Sequence, residues 1–240
     1  MKIESFPFTV IGGREDNQDA YGQKIEGDSA LFVVADGLGG HRLGSLASGC
    51  VVSSLTESWK AEGEYDAESM TAMIGAANDA VLKMQEEQNC GAKSTVVLLS
   101  LHGRKALWAN SGDSRLYFLR DGDIRAVTED HSVAYKKYRS GEITRAEIAT
   151  DEDQSSLLRT LGGTNRWQPD IAVEEELKPG DAFLLCSDGF WEYVSDEEIL
   201  IDRMKAGGAE EWGEKMLLRL ATRIPKDCDN LTMITVMLGE

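Results

Sequence analysis

Residues 94–127 read STVVLLSLHGRKALWANSGDSRLYFLRDGDIRAV and contain four strand-like runs, at 94–101, 105–110, 115–120 and 123–127. Each run is short and rich in β-branched, aromatic or other apolar residues, a composition suited to a pleated and buried surface. Only His102, Gly103 and Arg104 separate the first pair, and only Asp121 and Gly122 separate the last. An Asp-Gly step between two strand patterns is a strong signal for a two-residue type I′ turn, which needs positive φ at both positions. Strands joined so tightly must run antiparallel, because a parallel pair requires a crossover of a dozen residues or more. The stretch therefore predicts antiparallel sheet.

Outward from it, further strand patterns fall at 31–35, 182–186 and 231–238. Helical spacing is legible from Leu43 through Leu46, Ala47, Cys50, Val51, Leu55 and Trp59, where apolar residues recur every three or four positions. The same spacing runs from Met70 through Met73, Ile74, Ala77, Val81 and Met84, and again at Trp212, Met216, Leu217, Leu220 and Ile224. The order is strand, two helices, several strands, a mixed segment, then strands and helices again. That is not the regular alternation of a doubly wound parallel sheet. It predicts an α+β fold of two antiparallel sheets covered by helices. No internal repeat or Pro/Gly/Ser-rich linker divides the chain, so one domain is expected over 1–240. Residues 132–163 differ in character, with helix-like pieces at 132–140 and 144–149, the acidic run Asp151-Glu152-Asp153, and Gly162-Gly163 at the end. This segment is expected to be an insertion that packs on the domain outside its main core.

Composition narrows the function. Forty-two acidic residues against 25 basic ones give a formal net charge of −17, which repels nucleic-acid backbones and anionic membranes. The longest apolar runs, such as 31–35 and 96–99, fall far short of the ~20 residues of a membrane span. Met1-Lys2-Ile3-Glu4-Ser5 shows no basic region leading into an apolar one, so no signal peptide is read and a cytoplasmic protein is expected. The four cysteines form no CxxC pair, and Cys50 and Cys186 sit in apolar stretches as small buried hydrophobes.

Five aspartates stand at or beside the ends of strand patterns, each next to Gly, Asn, Ser or Ala: Asp19, Asp36, Asp113, Asp188 and Asp229. Any one of them alone reads as a turn residue. Together they read differently, since carboxylates that converge repel one another unless they share protons or bind cations. Oxygen-only ligands select hard ions, Mg²⁺ or Mn²⁺, over Zn²⁺. A pair of such ions sharing a carboxylate generates hydroxide near neutral pH, which is chemistry for hydrolysing a phosphate ester. Arg14 adds a planar fork for phosphate oxygens. Other motifs fail. Gly37-Leu38-Gly39-Gly40-His41-Arg42 has arginine where a dinucleotide loop needs its third glycine, and Cys90-Gly91-Ala92-Lys93-Ser94-Thr95 lacks the glycine before the lysine of a phosphate loop.

The stretches 13–20 (GREDNQDA), 34–41 (VADGLGGH), 111–117 (SGDSRLY), 128–132 (TEDHS), 187–189 (SDG) and 229–232 (DNLT) resemble, in order, the motifs of the metal-dependent serine/threonine protein phosphatases, the PPM or protein phosphatase 2C family, in its short bacterial branch. The resemblance implies a four-layer α-β-β-α sandwich with Mn²⁺ or Mg²⁺ in a cleft at one end, two core ions and a third, weaker one. It implies that Asp36 bridges the core ions, that the Gly37 carbonyl binds one, that Asp188 and Asp229 hold the other, and that Asp19 supports the site. Asp113, with Asp188, matches the ligands of the third ion, and Arg14 matches the phosphate-binding arginine. Residues 132–163 match the variable flap. The implied partners are phosphorylated proteins and a cognate serine/threonine kinase pathway whose marks the enzyme removes, and a monomer is expected. Three departures stand out: Gln18 where many eukaryotic members carry glutamate, Leu38 where some relatives carry histidine (His41 is nearby), and Asp151-Glu152-Asp153-Gln154 where a His-Pro pair is frequent. A binding module without activity and a small-molecule phosphomonoesterase are the alternatives on the same fold.

Overall fold

Alternate residues of the strand Ser29–Leu38 point to opposite sides, and both sides lead into apolar core. Ala30, Phe32 and Val34 pack with Val97, Leu99, Phe118, Phe183, Leu185 and Ile234. Leu31, Val33 and Ala35 pack with Ala47, Val51, Leu55 and Ile74. A strand covered on both faces has no use for polar residues, which explains the unbroken run at 31–35. In the computed structural model, which describes residues 1–40, 42–63, 65–163 and 167–240, this strand is the centre of a four-layer sandwich.

One sheet has the order β1 (Ile3–Val10), β11 (Leu231–Leu238), β10 (Ala182–Cys186), β7 (Arg115–Arg120), β8 (Asp123–Val127). The other has the order β2 (Asp19–Glu26), β3 (Ser29–Leu38), β5 (Val96–His102), β6 (Lys105–Ser111), β9 (Asp170–Glu174), with the short β4 (Lys93–Ser94) paired to the end of β3. The pairings are antiparallel throughout, for example Leu99↔Trp108 and Leu185↔Ile234. The turn between β7 and β8 has Asp121 at φ +54° and Gly122 at φ +74°, the two positive values that a type I′ turn requires.

Helices α1 (Arg42–Ser58) and α2 (Ala67–Gln88) cover the second sheet through Ala47, Val51, Leu55, Met70, Ile74 and Val81. Asp66 caps α2, accepting from the Ser69 amide at 2.8 Å. On the opposite face, α5 (Asp196–Lys205) and α6 (Ala209–Arg223) place Ile199, Trp212, Met216 and Leu220 against Tyr117, Leu184 and Met233. The single-turn α4 (Asp188–Trp191) leads into them. Among the described residues no helix is long and apolar enough to cross a membrane.

The structure adds to the expected elements. β1, β2 and β9 have no counterpart in the predicted strands, and all three are sheet edges whose residues are largely half-exposed or exposed. The expected strand at 94–101 is two, because Ser94 pairs with Gly37 and the next pairing begins at Val96. Residues 132–163 form α3 (Val133–Ser140), a 3₁₀ turn at Arg145–Thr150 and an irregular return. Contrary to expectation, this segment shares the main core. Ala134, Tyr135 and Ile148 join the cluster of Tyr117 and Trp191, and Leu161 joins the one beneath α1 and α2. Ala134 and Tyr135 sit in an eight-residue helix too short for a long stripe, and Ile148 and Leu161 stand beside only polar or small residues, so no long stripe announces them.

The inter-sheet layer makes a direct prediction. Phe183 is fully buried and stacks on Phe118 at 4.8 Å between ring centroids. Phe183→Ala is expected to cost about 3–5 kcal/mol in denaturant unfolding, whereas Ile25→Ala on the exposed face of β2 should stay within about 0.5 kcal/mol of the parent.

Candidate metal centre

Antiparallel topology brings the five aspartates to one end of the sandwich. Asp188 follows β10, Asp229 precedes β11 and Asp113 precedes β7, and these ends coincide because Cys186 pairs with both Met233 and Arg115. In the other sheet Asp19 opens β2 directly opposite Asp36 near the end of β3. Two side-chain links tie the sheets at this end. The Ser187 hydroxyl donates to Asp19 Oδ2 at 2.7 Å, and the Gln18 amide donates to Asn230 Oδ1 at 2.8 Å.

The backbone beneath is built for close approach. The Asp36 amide donates to Thr95 Oγ1 at 2.9 Å, and the Asp36 carbonyl accepts from the Thr95 amide at 2.8 Å. Thr95 Oγ1 lies 2.8 Å from Ser114 Oγ, next to Asp113. A Cβ on Gly37 would stand 2.0 Å from the Gly44 carbonyl, and one on Gly189 would stand 2.1 Å from the Asn230 carbonyl. Glycine is therefore required at both positions. Asn230 Nδ2 donates to the carbonyls of Ile11 and Asp16 at 2.8 and 3.0 Å, fixing the loop that carries Arg14. Arg14 Nη2 donates to Asp229 Oδ2 at 2.7 Å, with its side chain half exposed. Under Asp113, Arg115 makes a bidentate pair with Asp130 at 2.8 and 2.6 Å, both side chains almost fully buried. The Arg115 guanidinium carbon lies 3.5 Å from the Trp191 ring centroid, and Trp191 Nε1 donates to the Asp113 carbonyl at 3.0 Å. His131 Nδ1 accepts from the Gly112 amide at 3.2 Å.

Burial and mutual repulsion dominate the electrostatics. Burial, then the charge of Asp188, Asp19, Asp113 and Asp229, holds the Asp36 carboxyl well above the usual range. Burial, then Asp188 and Asp130, does the same to Asp113. Asp19 is pushed up to about 7 by burial, with Asp188 and Asp229 adding to it, and Asp188 to about 6 by burial and Asp229. Glu192 is pushed up to about 8 by burial, then by Asp188 and Asp229. Two carboxylate oxygens, Asp19 Oδ1 and Asp113 Oδ1, are buried without a hydrogen-bond partner. An orphaned buried acceptor is costly, and a cation beside it removes the cost.

Among the described residues no three His, Cys, Asp or Glu side chains stand together as a ready-made coordination shell. The carboxylates are turned instead to protein donors: Asp19 to Ser187, Asp188 to the Gly189 amide at 2.7 Å, and Asp229 to Arg14 and the Asn230 amide. The donor set is nonetheless all oxygen, buried and self-repelling, and it fits a hard divalent cation. Each aspartate singled out in the sequence lies at this end, as do Arg14 and Gly37. The sequence assigned no role to Ser187 and Asn230, although both stand in the stretches 187–189 and 229–232, nor to Thr95, Trp191 and Glu192; the first four act through hydrogen bonds to the site's backbone and side chains, and Glu192 through burial. Gln18 is held by its backbone, its carbonyl accepting from the Gly37 amide at 3.1 Å and from Ser48 Oγ at 2.6 Å. His41 lies outside the described residues.

Comparison with known proteins agrees with this architecture. The sequence matches the protein phosphatase 2C family over residues 11–227. A serine/threonine phosphatase of Listeria monocytogenes serotype 4b is 30% identical over 192 residues, covering 77% of this chain and 75% of that protein. The crystal structure of a serine/threonine phosphatase from Staphylococcus aureus matches with a TM-score of 0.87 at 30% identity, covering 100% of this chain and 96% of that one. The catalytic domain of a serine/threonine protein phosphatase, solved in complex with two manganese ions, matches with a TM-score of 0.85 at 28% identity, covering 99% of each chain.

The raised carboxyl of Asp19 sets a stability test. Its folded value of about 7 exceeds the ordinary 3.8, so the folded chain keeps a proton that the unfolded chain releases. Its contribution is fully present below pH 3.8 and lost as pH rises through 7. In chelator-treated protein, Asp19→Asn should therefore be more stable than the parent at pH 8 by on the order of 2 kcal/mol, and the gain should vanish toward pH 4. Thermal unfolding across that range decides it, and a parent more stable than Asp19→Asn at pH 8 without metal would contradict the account.

Proposed function

The chain belongs to the protein phosphatase 2C family, and from that premise we propose that it is a metal-dependent protein serine/threonine phosphatase, hydrolysing phosphoserine and phosphothreonine esters. The observation that carries the reading is the convergence of five aspartates at one end of the sandwich, two of them with a buried oxygen that has no partner.

In this reading Asp36, the Gly37 carbonyl, Asp188 and Asp229 would hold two Mn²⁺ or Mg²⁺ ions. Asp19 would support them, and Asp113 with Asp188 would hold a third, weaker ion. When bound, such ions neutralise the crowded carboxylates and supply nucleophile activation and charge withdrawal from a phosphoryl group. The chain's own residues do the rest. Arg14 is placed to bind phosphate oxygens, since its bond to Asp229 uses one of five N–H donors and its side chain remains half exposed. Trp191 and the Arg115–Asp130 pair hold Asp113 from below, and Ser187 orients Asp19. Residues 132–163 serve as a flap beside the site within a single catalytic domain spanning 1–240.

Phosphorylated proteins as substrates, a cognate serine/threonine kinase, a monomeric state and a cytoplasmic location belong to the same proposal. Four free cysteines, Cys50, Cys90, Cys186 and Cys228, support a reducing compartment.

Hydrolysis of p-nitrophenyl phosphate and of a phosphothreonine peptide tests the reading. Activity is expected to require Mn²⁺ or Mg²⁺ and to be abolished by EDTA. Asp36→Asn and Asp229→Asn should each lose at least about 100-fold in kcat, and Arg14→Ala about 100-fold in kcat/KM. Turnover indifferent to chelation and to these substitutions would overturn it.

A further inference from the structure

Helix α6 has a second apolar face. Trp212 and Met216 point into the core, while Leu217, Leu218, Leu220 and Ala221, with Ile224 just past the helix end, line an open groove of about 680 Å³. The groove is completed by Phe8 and Val10 of β1 and by Leu231. Leu218 is 70% exposed and Val10 37%, which a solvated surface does not need. β1 is an edge strand, and among the described residues no further strand of its own sheet covers this corner.

We propose that this groove docks an apolar segment of the phosphorylated protein substrate that flanks the phosphoserine or phosphothreonine and carries a lysine or arginine; the proposal rests on the phosphatase reading above. Position is the first argument. Val10 and Leu231 pair at the end of their strands, where both chains run on into the candidate site. Leu231 lies two positions from Asp229, a reach of at most about 7 Å, and Val10 lies four positions from Arg14, at most about 14 Å. Gly13 and Cys228 stay joined there, the Gly13 amide donating to the Cys228 carbonyl at 3.0 Å. An extended peptide with its phosphoryl group at Arg14 therefore reaches the groove within about two to four residues.

Charge is the second. Glu214 is the one charged residue lining the groove, and it has no ion-pair partner among the described residues. The cations of α6 are already engaged: Lys215 with Glu211 at 3.0 Å, Arg219 with Asp202 and Glu198, and Arg223 with Glu198 at 2.6 Å. With a net charge of −17 around it, the groove favours an apolar segment that brings a positive charge.

Two phosphothreonine peptides of equal length test the proposal. One carries Leu-Leu and a Lys within two to five residues of the phosphothreonine, placed on either side in separate versions, and the other has Ser and Gly there. The parent should prefer the apolar peptides by about tenfold in KM with kcat unchanged. Leu218→Glu should erase that preference while leaving p-nitrophenyl phosphate turnover and the unfolding midpoint unaltered. Glu214→Lys should turn the preference toward an acidic flank. Fluorescence anisotropy with the dephosphorylated apolar peptide reads the groove without catalysis, and binding to the parent should be lost in Leu218→Glu. Equal binding by both proteins, or a preference that survives Leu218→Glu, overturns the docking groove. So does light scattering that finds a parent dimer made monomeric by Leu218→Glu, since the occupant would then be a second copy. Peptide binding without hydrolysis of any phosphoester would instead overturn the phosphatase reading alone.

Discussion

Carboxylates crowded at the end of a β-sandwich repel one another, and burial strengthens that repulsion because little water screens it. Asp36 feels Asp19, Asp113, Asp188 and Asp229 at once, and Asp19 and Asp113 each keep a buried oxygen with no protein donor. A chain that only had to fold would have no reason to keep such a cluster. Much of the surrounding structure holds it in place: the Thr95–Ser114 link under Asp36, the Ser187 hydroxyl on Asp19, and the buried Arg115–Asp130 pair stacked on Trp191 under Asp113. Buried ion pairs contribute little net stability, so the cost of burying Arg115 and Asp130 is better explained by positioning than by holding the fold together.

The fold supplies the convergence. Two antiparallel sheets face each other through Phe32, Phe118, Phe183 and Ile234, and outer helices seal their other faces. Because neighbouring strands run in opposite directions, the end of one strand and the start of the next lie together. One end of the sandwich can therefore gather residues from 19, 36, 113, 188 and 229. The glycines at 37 and 189 let a helix and a neighbouring strand approach the backbone there, at distances no Cβ would allow.

This logic also explains how much was legible in the sequence. Central strands carry continuous apolar runs because both faces are buried, so β3, β5, β7, β10 and β11 stand out. β8, an edge, is visible through the Asp121-Gly122 turn. β1 and β9 have no such turn, and β1, β2 and β9 are all edges that show one face to water; β2 does meet β3 through the two-residue Gly27-Asp28 turn, but its own residues carry no apolar run, and Pro7 further weakens the pattern of β1. Helix α5 is short, and its signature is the Ser195–Glu198 capping box rather than an apolar stripe. The aspartates were legible because each stands at or beside the end of a strand pattern, four of them next to Gly, Ser or Asn. Glu192 was not, since its character comes from burial beside Asp188 and Asp229 rather than from any local motif. The core role of Ile148 and Leu161 was hidden in the same way, by single apolar residues in polar surroundings.

The central proposal is that the clustered carboxylates exist to share divalent ions, with Asp36 common to two of them. Anomalous diffraction at the manganese edge from crystals grown with Mn²⁺ tests it most directly. The account predicts at least two manganese peaks among Asp36, Asp188 and Asp229, both within coordinating distance of Asp36. Manganese absent from this end of the sandwich, or bound only elsewhere on the acidic surface, would contradict it.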